Sequence, residues 1–380
     1  MKLFNRVKPL ASALLALLTL GAMPQAQAFN TERVMNAFKY PNNWRGHTML
    51  ISHRGIVSPG CPENSSCSLS AAARNGNVEA IELDVKSSAN GTLWLFHDLR
   101  LGRMTNPRFD LFGGGQGSNP LVSQTPDTSI RNRKLLDKAQ KPTGYYPVTL
   151  QRALTMTRGM VAILDLKTEA DARRAARIVK ASGAQGRVIL KLSSSWYLRS
   201  PRAGIRATAA GLPYAVTIYG GDLTRIHTTF EERAAGNPNA SVVRWINRAI
   251  EANSGEFIFV ELGNKQVKSG DPLNFFVRGY ANGLVATSQF IPVPEYSRPQ
   301  VAGLDARQNG YVKSDSSCCA RLSQYLTPAS AYFPGEKWDD RPYLLQNGDW
   351  AWYDSLLTDA VPYTHSFLAS KGRRKLGVFR

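Results

Sequence analysis

The alternation of short apolar runs with longer amphipathic or loop segments, which starts near residue 48, most constrains the fold of this chain. The apolar runs are rich in β-branched residues and predict β-strands, and several of the segments that follow them predict helices, such as residues 68–75 and 169–182. Strands that alternate with helices are typical of parallel βα units. Nine runs have strand character: Met49–Ser52, Ala80–Val85, Leu93–Phe96, Val161–Leu166, Val188–Leu192, Tyr214–Ile218, Phe257–Glu261, Leu284–Thr287 and Ser355–Thr358.

Nine such runs predict an α/β fold, a (β/α)8 TIM barrel in which one run is not a barrel strand. An open, doubly wound sheet shows the same alternation and stays an alternative on periodicity alone. Two long stretches, residues 106–147 and 292–341, interrupt the pattern with Gly, Ser and Pro. Because no flexible linker lies between them, we expect one domain over residues 29–380 with two loop insertions.

The first 28 residues have the features of a cleavable signal peptide. Basic residues at positions 2, 6 and 8 precede an apolar run from Leu10 to Leu20, and small residues two positions apart end at Ala28. The apolar run is shorter than the roughly 20 residues that a membrane-spanning helix needs. We therefore predict cleavage near Ala28 and a mature protein in the periplasm or outside the cell.

The four cysteines fit an exported protein. Cys61 and Cys67 lie six residues apart in a loop rich in Pro and Ser, where they could close a small disulfide ring in an oxidising compartment. Cys318 and Cys319 are adjacent, and their redox state stays open. No C-x-x-C pair and no H-E-x-x-H motif occurs, which argues against a zinc site built from cysteines.

The residues able to do chemistry lie at the carboxyl ends of the predicted strands. Glu82 and Asp84 are two apart on an apolar strand, so both point to the same face. Carboxylates side by side repel each other, and a bound hard cation such as Mg²⁺ or Ca²⁺ relieves that repulsion. The first strand ends in Ser52–Gly55, which reads Ser-His-Arg-Gly, and His97 and Asp98 close the third.

A third carboxylate follows on the next strand, where Asp165 and Lys167 share a face at the end of Val161–Leu166. Active-site residues of TIM barrels gather at the carboxyl ends of the strands. Three carboxylates can hold one divalent cation, two histidines can act as acid and base, and two cations can hold a phosphate, which suits displacement at phosphorus. The predicted site contains His53, Arg54, Glu82, Asp84, His97, Asp165 and Lys167.

Five segments closely resemble the glycerophosphodiester phosphodiesterase family: His53–Gly55, Pro62–Ser65, Glu82–Val85, His97–Asp98 and Leu101–Thr105. The resemblance continues more loosely at residues 148–154 and 356–362 and is poor over residues 195–350. It implies a barrel of the phospholipase C-like phosphodiesterase type and the hydrolysis of glycerophosphodiesters to glycerol phosphate and an alcohol.

The resemblance also implies roles for individual residues. His53 and His97 would be the catalytic acid and base, Glu82 and Asp84 would be metal ligands, and Arg54 would contact the phosphate. We expect Glu63 and Asp98 to orient these neighbours.

The third ligand position departs from the family pattern. The family has Glu-x-Lys there, whereas this chain has Asp165-Leu166-Lys167, so we predict Asp165 as the third ligand and Lys167 as a second phosphate contact. The Asp-Leu-Lys string is similar to that of the sphingomyelinase D branch.

The strong positive charge of the chain limits the classes of partner that it is expected to bind. Lys and Arg number 47 against 28 Asp and Glu, a formal charge of +19, and loss of residues 1–28 removes three basic and no acidic residues, which leaves +16. Such a surface attracts phosphate-bearing partners. We predict a small phosphodiester substrate, one divalent cation (Mg²⁺ or Ca²⁺), no nucleic acid and no protein partner.

Two alternatives keep the same fold. A phospholipase or sphingomyelinase D-like enzyme would act on intact phospholipids at a membrane surface. A barrel without catalytic activity would use the basic surface for binding alone. Glu261, at the end of a predicted strand, could face the site, although an ordinary loop position explains it equally well.

Overall fold

The computed structural model describes residues 29–44, 46–108, 118–137, 141–263, 285–291, 311–313, 319–321, 353–359 and 361–380. The predicted signal peptide, the glycine run at residues 113–117, Cys318, the side chain of Cys319 and most of the second insertion lie outside the described residues.

Eight parallel strands close into a barrel, which confirms the predicted (β/α)8 architecture. Each strand pairs with the next around the ring, and β1 closes it by pairing with both β2 and β11. The barrel strands are β1 (Met49–His53), β2 (Ala80–Ser87), β4 (Val161–Leu166), β5 (Val188–Ser193), β6 (Tyr214–Tyr219), β7 (Phe257–Gly263), β8 (Ala286–Ile291) and β11 (Ser355–Thr358).

One predicted strand is not part of the barrel. The run Leu93–Phe96 gives a short β3 (Leu93–Leu95), which pairs antiparallel with the end of β2. Strand β8 begins at Ala286, two residues later than its predicted run. Two further strands, β9 (Tyr311–Lys313) and β10 (Cys319–Arg321), form an antiparallel pair.

Helices follow most of the barrel strands and pack against the outside of the barrel. Among the described helices, none combines the length and the apolar character that a membrane span requires. The helices are α1 (Thr31–Lys39), α2 (Ser66–Arg74), α3 (Gly102–Thr105), α4 (Asp127–Arg131), α5 (Leu150–Met156), α6 (Glu169–Ala181), α7 (Pro201–Ala209), α8 (Asp222–Thr229), α9 (Pro238–Ile250) and α10 (Val361–Ser370).

The period of two along each strand separates two apolar layers. Residues such as Leu83 and Val85 face outward and pack with the helices in the largest core cluster. Residues on the opposite face fill the amino-terminal half of the barrel interior, where helix α1 and Phe379 close the end: Met49, Ile51, Ala80, Val161, Ile163, Ile189, Ala215, Phe259, Ala286 and Leu357. The interior-facing positions beyond this layer are therefore the ones that carry polar side chains.

Part of the first insertion is folded onto the barrel. Trp94 and Phe96 pack with Met104, Val122 and Ile130 in a separate apolar cluster. This cluster fixes the segment that follows β3, which carries His97 and Asp98.

Candidate active site

The carboxyl-terminal half of the barrel interior is charged. On β2 the outward-facing Leu83 and Val85 alternate with Glu82, Asp84 and Lys86, which therefore face inward. The same alternation places Asp165 inward on β4, Lys191 on β5 and Glu261 on β7, and strand pairing sets Asp165 beside both Asp84 and Lys191. The apolar layer ends where this group begins.

The turn after β1 has an unusual backbone. Arg54 adopts a positive φ of 58° and Gly55 one of 85°. A Cβ at Gly55 would lie 2.7 Å from the carbonyl carbon and oxygen of Ser68 in α2, so only glycine fits there. The turn brings the Arg54 backbone N–H to 3.3 Å from Glu82 Oε2, which it donates to.

A disulfide between Cys61 and Cys67 confirms the predicted ring. The ring encloses Glu63 and Asn64, and Asn64 also has a positive φ of 53°. Asn64 Nδ2 donates to Asp84 Oδ2 at 3.0 Å, and Asn64 Oδ1 accepts from the Asp84 backbone N–H at 3.3 Å. The disulfide loop thus holds the Asp84 carboxylate in place.

Each of the two predicted catalytic histidines contacts an aspartate through Nδ1. His53 Nδ1 lies 2.9 Å from Asp359 Oδ1, and His97 Nδ1 lies 2.7 Å from Asp98 Oδ1. A carboxylate at Nδ1 favours the tautomer that carries the proton there, so Nε2 is the unprotonated nitrogen of the neutral ring. On His53 that nitrogen is 3.9 Å from Glu82 Oε2.

Glu63 connects the two histidine regions through arginines. It accepts from Arg54 Nη1 at 3.1 Å and from Arg103 at 2.7 and 3.0 Å, while Arg103 also donates to Asp98 at 2.6 and 3.1 Å. Burial alone would raise the pKa of Glu63, but the charges of Arg103 and Arg54 outweigh it and lower this pKa to about 2. Glu63 and Asp98 thus contact the residues that we expect them to orient.

Glu82 and Asp84 are both buried but titrate in opposite directions. Burial and the neighbouring Asp84 raise the pKa of Glu82. Burial acts the same way on Asp84, but Lys167 and Arg54 outweigh it and hold its pKa well below the usual range. Glu82 Oε1 is buried and accepts no hydrogen bond from the described residues, although Lys191 Nζ lies 3.5 Å away.

Two lysines neutralise much of the acidic group. Lys167 Nζ lies 2.6 Å from both Asp84 Oδ1 and Asp165 Oδ2. Lys191 Nζ lies 3.0 Å from Glu261 and 3.5 Å from Asp165. Burial would lower the pKa of either lysine, but the surrounding carboxylates outweigh it and raise both, so both stay protonated.

Lys86 differs from these two lysines. It is only 6% exposed, yet its ammonium group makes no hydrogen bond or ion pair with any residue that the structure describes. Burial, together with the charge of Lys167, lowers its pKa to about 8.

Comparison with known families bears on the same residues. Residues 53–206, which include both histidines and the strands that carry Glu82, Asp84 and Asp165, match the model of the glycerophosphoryl diester phosphodiesterase family. This segment is similar to that family. Its members are phosphoric diester hydrolases.

Solved structures share the fold over most of the chain. A glycerophosphoryl diester phosphodiesterase from Parabacteroides distasonis is 16% identical and has a TM-score of 0.58, covering 93% of this chain and 97% of its own. A phosphodiesterase from Oleispira antarctica, in complex with the product sn-glycerol-3-phosphate, is 15% identical and has a TM-score of 0.52, covering 85% and 97%. None of the curated proteins matches the chain.

Within this family-matched segment, the predicted site residues are brought together at one end of the barrel. Ligand atoms of His53, Glu82 and Asp84 all lie within 4.8 Å of one another, a spacing that one metal ion could bridge. Asp165 lies beside this group but is ion-paired with Lys167 and Lys191. Its role as third ligand stays a prediction.

Several residues of the site were not predicted from the sequence. Lys86 and Lys191 are charged residues inside apolar strands, the signal that identified Glu82 and Asp84, and they could have been found in the same way. Asp359 directly follows the terminal strand, and Arg103 lies within a segment that carried the family resemblance. For Glu261, which is buried beside Lys191, the structure selects the interpretation in which it faces the site.

Proposed function

We propose that the chain is an exported, metal-dependent enzyme that hydrolyses glycerophosphodiesters to glycerol phosphate and an alcohol. The observation that carries the proposal is the pair of histidines, each with Nδ1 on an aspartate, in the family-matched segment beside Glu82 and Asp84. Such a pair supplies a base and an acid to one reaction centre.

The donor set fits one divalent cation, Mg²⁺ or Ca²⁺. Glu82 offers a buried oxygen that accepts no hydrogen bond from the described residues, and burial beside Asp84 disfavours its charge even with Lys191 Nζ at 3.5 Å. Oxygen-rich sites of this kind suit hard cations. Glu82 and Asp84 would hold the ion, with Asp165 as the third ligand, which leaves His53 for proton transfer. The ion, when bound, would polarise the phosphoryl oxygens and offset developing charge.

The chain's own residues would divide the remaining work. Arg54 and Lys167 border Asp84 at 2.9 and 2.6 Å and would hold the non-bridging oxygens of the phosphodiester. One histidine would take a proton through Nε2 from the neighbouring glycerol hydroxyl or from water, and the other would protonate the departing alcohol. If the glycerol hydroxyl attacks first, a cyclic phosphate forms before the final monoester.

Export is the second part of the proposal. The basic and apolar start of the chain supports it, and so does the Cys61–Cys67 disulfide, because disulfides persist mainly in oxidising compartments. Fractionation of cells that express the full chain should find the mature protein, starting near Phe29, in the periplasm or the medium.

Turnover of glycerophosphocholine and glycerophosphoethanolamine tests the activity. We expect His97→Ala to lower turnover by about 10²- to 10⁴-fold and excess EDTA to abolish it, with recovery on addition of Mg²⁺ or Ca²⁺. A matched control is His227→Ala, because His227 lies on α8 and contacts Ser241 instead of the site.

Two results would contradict separate parts of the proposal. Full turnover in excess EDTA would contradict the metal dependence, and full turnover by His97→Ala would contradict the acid and base assignment. Faster release of headgroup from phospholipid vesicles than from glycerophosphodiesters would favour the alternative in which the enzyme acts on intact lipids.

A further inference from the structure

Lys86 is a buried cation at the mouth of the barrel with no described partner. It faces inward from β2, two residues beyond Asp84 and therefore about 7 Å further toward the opening. Its neighbours Lys167 and Lys191 each contact two or more carboxylates, whereas Lys86 contacts none among the described residues.

Lys86 lies beside a second cation. Strands β2 and β4 are paired up to Val85 and Leu166, so Lys86 and Lys167 are the next residues on two adjacent parallel strands. Like charges side by side repel each other, and a charge that is 6% exposed has lost most of its hydration. An anion between the two ammonium groups would relieve both costs.

The carboxylates whose charges act on Lys86 are already engaged. Asp84 is held by Lys167, Arg54 and Asn64, Asp165 by Lys167 and Lys191, and Asp98 by His97 and Arg103. None of the three needs Lys86 for its own charge balance. A group from outside the described chain is therefore the anion that fits.

We propose that Lys86 is a substrate-binding residue that contacts a phosphoryl oxygen of the phosphodiester and of the phosphomonoester product. This inference rests on the proposed function for the identity of the anion. Anion binding by Lys86 can nevertheless be measured whether or not the enzyme turns over a substrate. With Arg54 and Lys167, Lys86 makes the third cation around the site of the phosphate. Along β2 it lies two residues beyond Asp84, toward the carboxyl-terminal opening of the barrel.

The test compares Lys86→Met with Lys86→Arg in the mature protein. Methionine keeps the unbranched chain and removes the charge, whereas arginine keeps the charge. The matched control is Lys134→Met, which removes the same charge from an exposed position. The readouts are binding of inorganic phosphate by calorimetry, thermal unfolding, and kcat and KM for glycerophosphocholine.

We expect Lys86→Met to weaken phosphate binding by about ten- to a hundredfold, the usual effect of losing a charged hydrogen bond. The KM should rise by a similar factor with a smaller change in kcat. The melting temperature should stay level or rise, because an unpaired buried charge has been removed. Lys86→Arg should retain most of the affinity, and Lys134→Met should behave like the wild type.

Unchanged phosphate affinity in Lys86→Met would overturn the proposal. So would a fall in melting temperature with equal loss of affinity in the Met and Arg variants, because that result indicates a structural lysine. If the wild type binds phosphate through Lys86 but does not hydrolyse glycerophosphocholine, the proposed substrate is wrong and the phosphate contact of Lys86 stands.

Discussion

Glu79 and Glu82 lie three residues apart at opposite ends of the barrel, and both are almost fully buried. At the amino-terminal end, Glu79 accepts hydrogen bonds or ion pairs on both oxygens, from His47, Arg374 and the backbone N–H of Leu50. At the carboxyl-terminal end, Glu82 accepts only one hydrogen bond from the described residues, from the Arg54 backbone at 3.3 Å, and its ion pairs with Lys191 and His53 are longer, at 3.5 and 3.9 Å.

This difference in partners shifts the pKa values of the two glutamates in opposite directions. Burial raises the pKa of both, but at Glu79 Arg374 and His47 outweigh it and lower the pKa, whereas at Glu82 the neighbouring Asp84 raises it further. A carboxylate with every oxygen satisfied stabilises the fold. One whose contacts with the described residues are few and long is costly to bury and is available for a ligand.

The largest effects should come from changing each glutamate to glutamine. Glu79→Gln leaves the buried Arg374 without its countercharge and should lower the free energy of unfolding by about 3–5 kcal/mol. Glu82→Gln removes a carboxylate whose ionised form is disfavoured, so stability at pH 7 should stay level or rise, while turnover should fall by about 10²- to 10³-fold. Urea unfolding and glycerophosphocholine hydrolysis of both variants measure the two effects.

The two variants serve as controls for each other, because the chemical change is identical. The folded fraction of Glu79→Gln should turn over substrate at the wild-type rate. A loss of stability in Glu82→Gln as large as that in Glu79→Gln would contradict the view that the amino-terminal end of the barrel stabilises the fold while the carboxyl-terminal end binds a ligand.

Glu63 tests whether the location of a carboxylate in the barrel or its ion pairing determines its role. It lies at the carboxyl-terminal end, like Glu82, but it is paired with Arg54 and Arg103. Its pKa of about 2 in the folded state is below the ordinary value of 4.5, so its stabilisation is complete above pH 4.5 and is lost as pH falls toward 2. Glu63→Gln should therefore cost about 3 kcal/mol at neutral pH. The gap between wild type and variant should narrow below pH 4.5.

Urea unfolding followed by circular dichroism from pH 7 to pH 3 checks this expectation. Glu32→Gln removes the same charge from the exposed side of α1 and serves as the control. A gap that stays constant with pH would show that Glu63 contributes through packing and not through its charge.

Much of the fold could be predicted from the sequence, because the periods of strands and helices are local properties. The run Leu93–Phe96 shows the limit: its apolar pattern is that of a strand, but periodicity does not distinguish a parallel barrel strand from an antiparallel one beside it. Glu82, Asp84 and His53 could be predicted for a related reason. Their unusual charge inside or at the end of an apolar run is visible without any long-range contact.

The partners of these residues are set by the closure of the barrel. Asp359 contacts His53 across 306 positions of the chain, and Glu261 contacts Lys191 across 70. No local pattern specifies such pairs, because they depend on strand order and register. The charge balance of the site follows from the same long-range pairing. In it, lysines neutralise part of the negative charge that a metal ion was expected to neutralise.

The smallest expected effect concerns His47, at the amino-terminal end of the barrel, in the mildly acidic range. His47 accepts the Lys375 backbone N–H on Nδ1 at 2.8 Å, so its Nε2 carries the proton toward Glu79. Burial lowers the pKa of His47 below 6.5, and protonation at Nδ1 would break the bond from Lys375. Because the unfolded chain binds this proton more readily, stability should decline as pH falls below 6.5, by about 1 kcal/mol for the lost bond.

His47→Gln, which can still donate to Glu79 and accept from Lys375, should lack this decline between pH 6.5 and 5 in thermal unfolding. Turnover per folded molecule should be unaffected, since His47 lies at the end of the barrel opposite His53 and His97. If wild type and variant lose stability in parallel over that range, another group at the amino-terminal end titrates in its place. His365, which accepts from Arg374 and whose pKa burial also lowers, would then be the residue to change next.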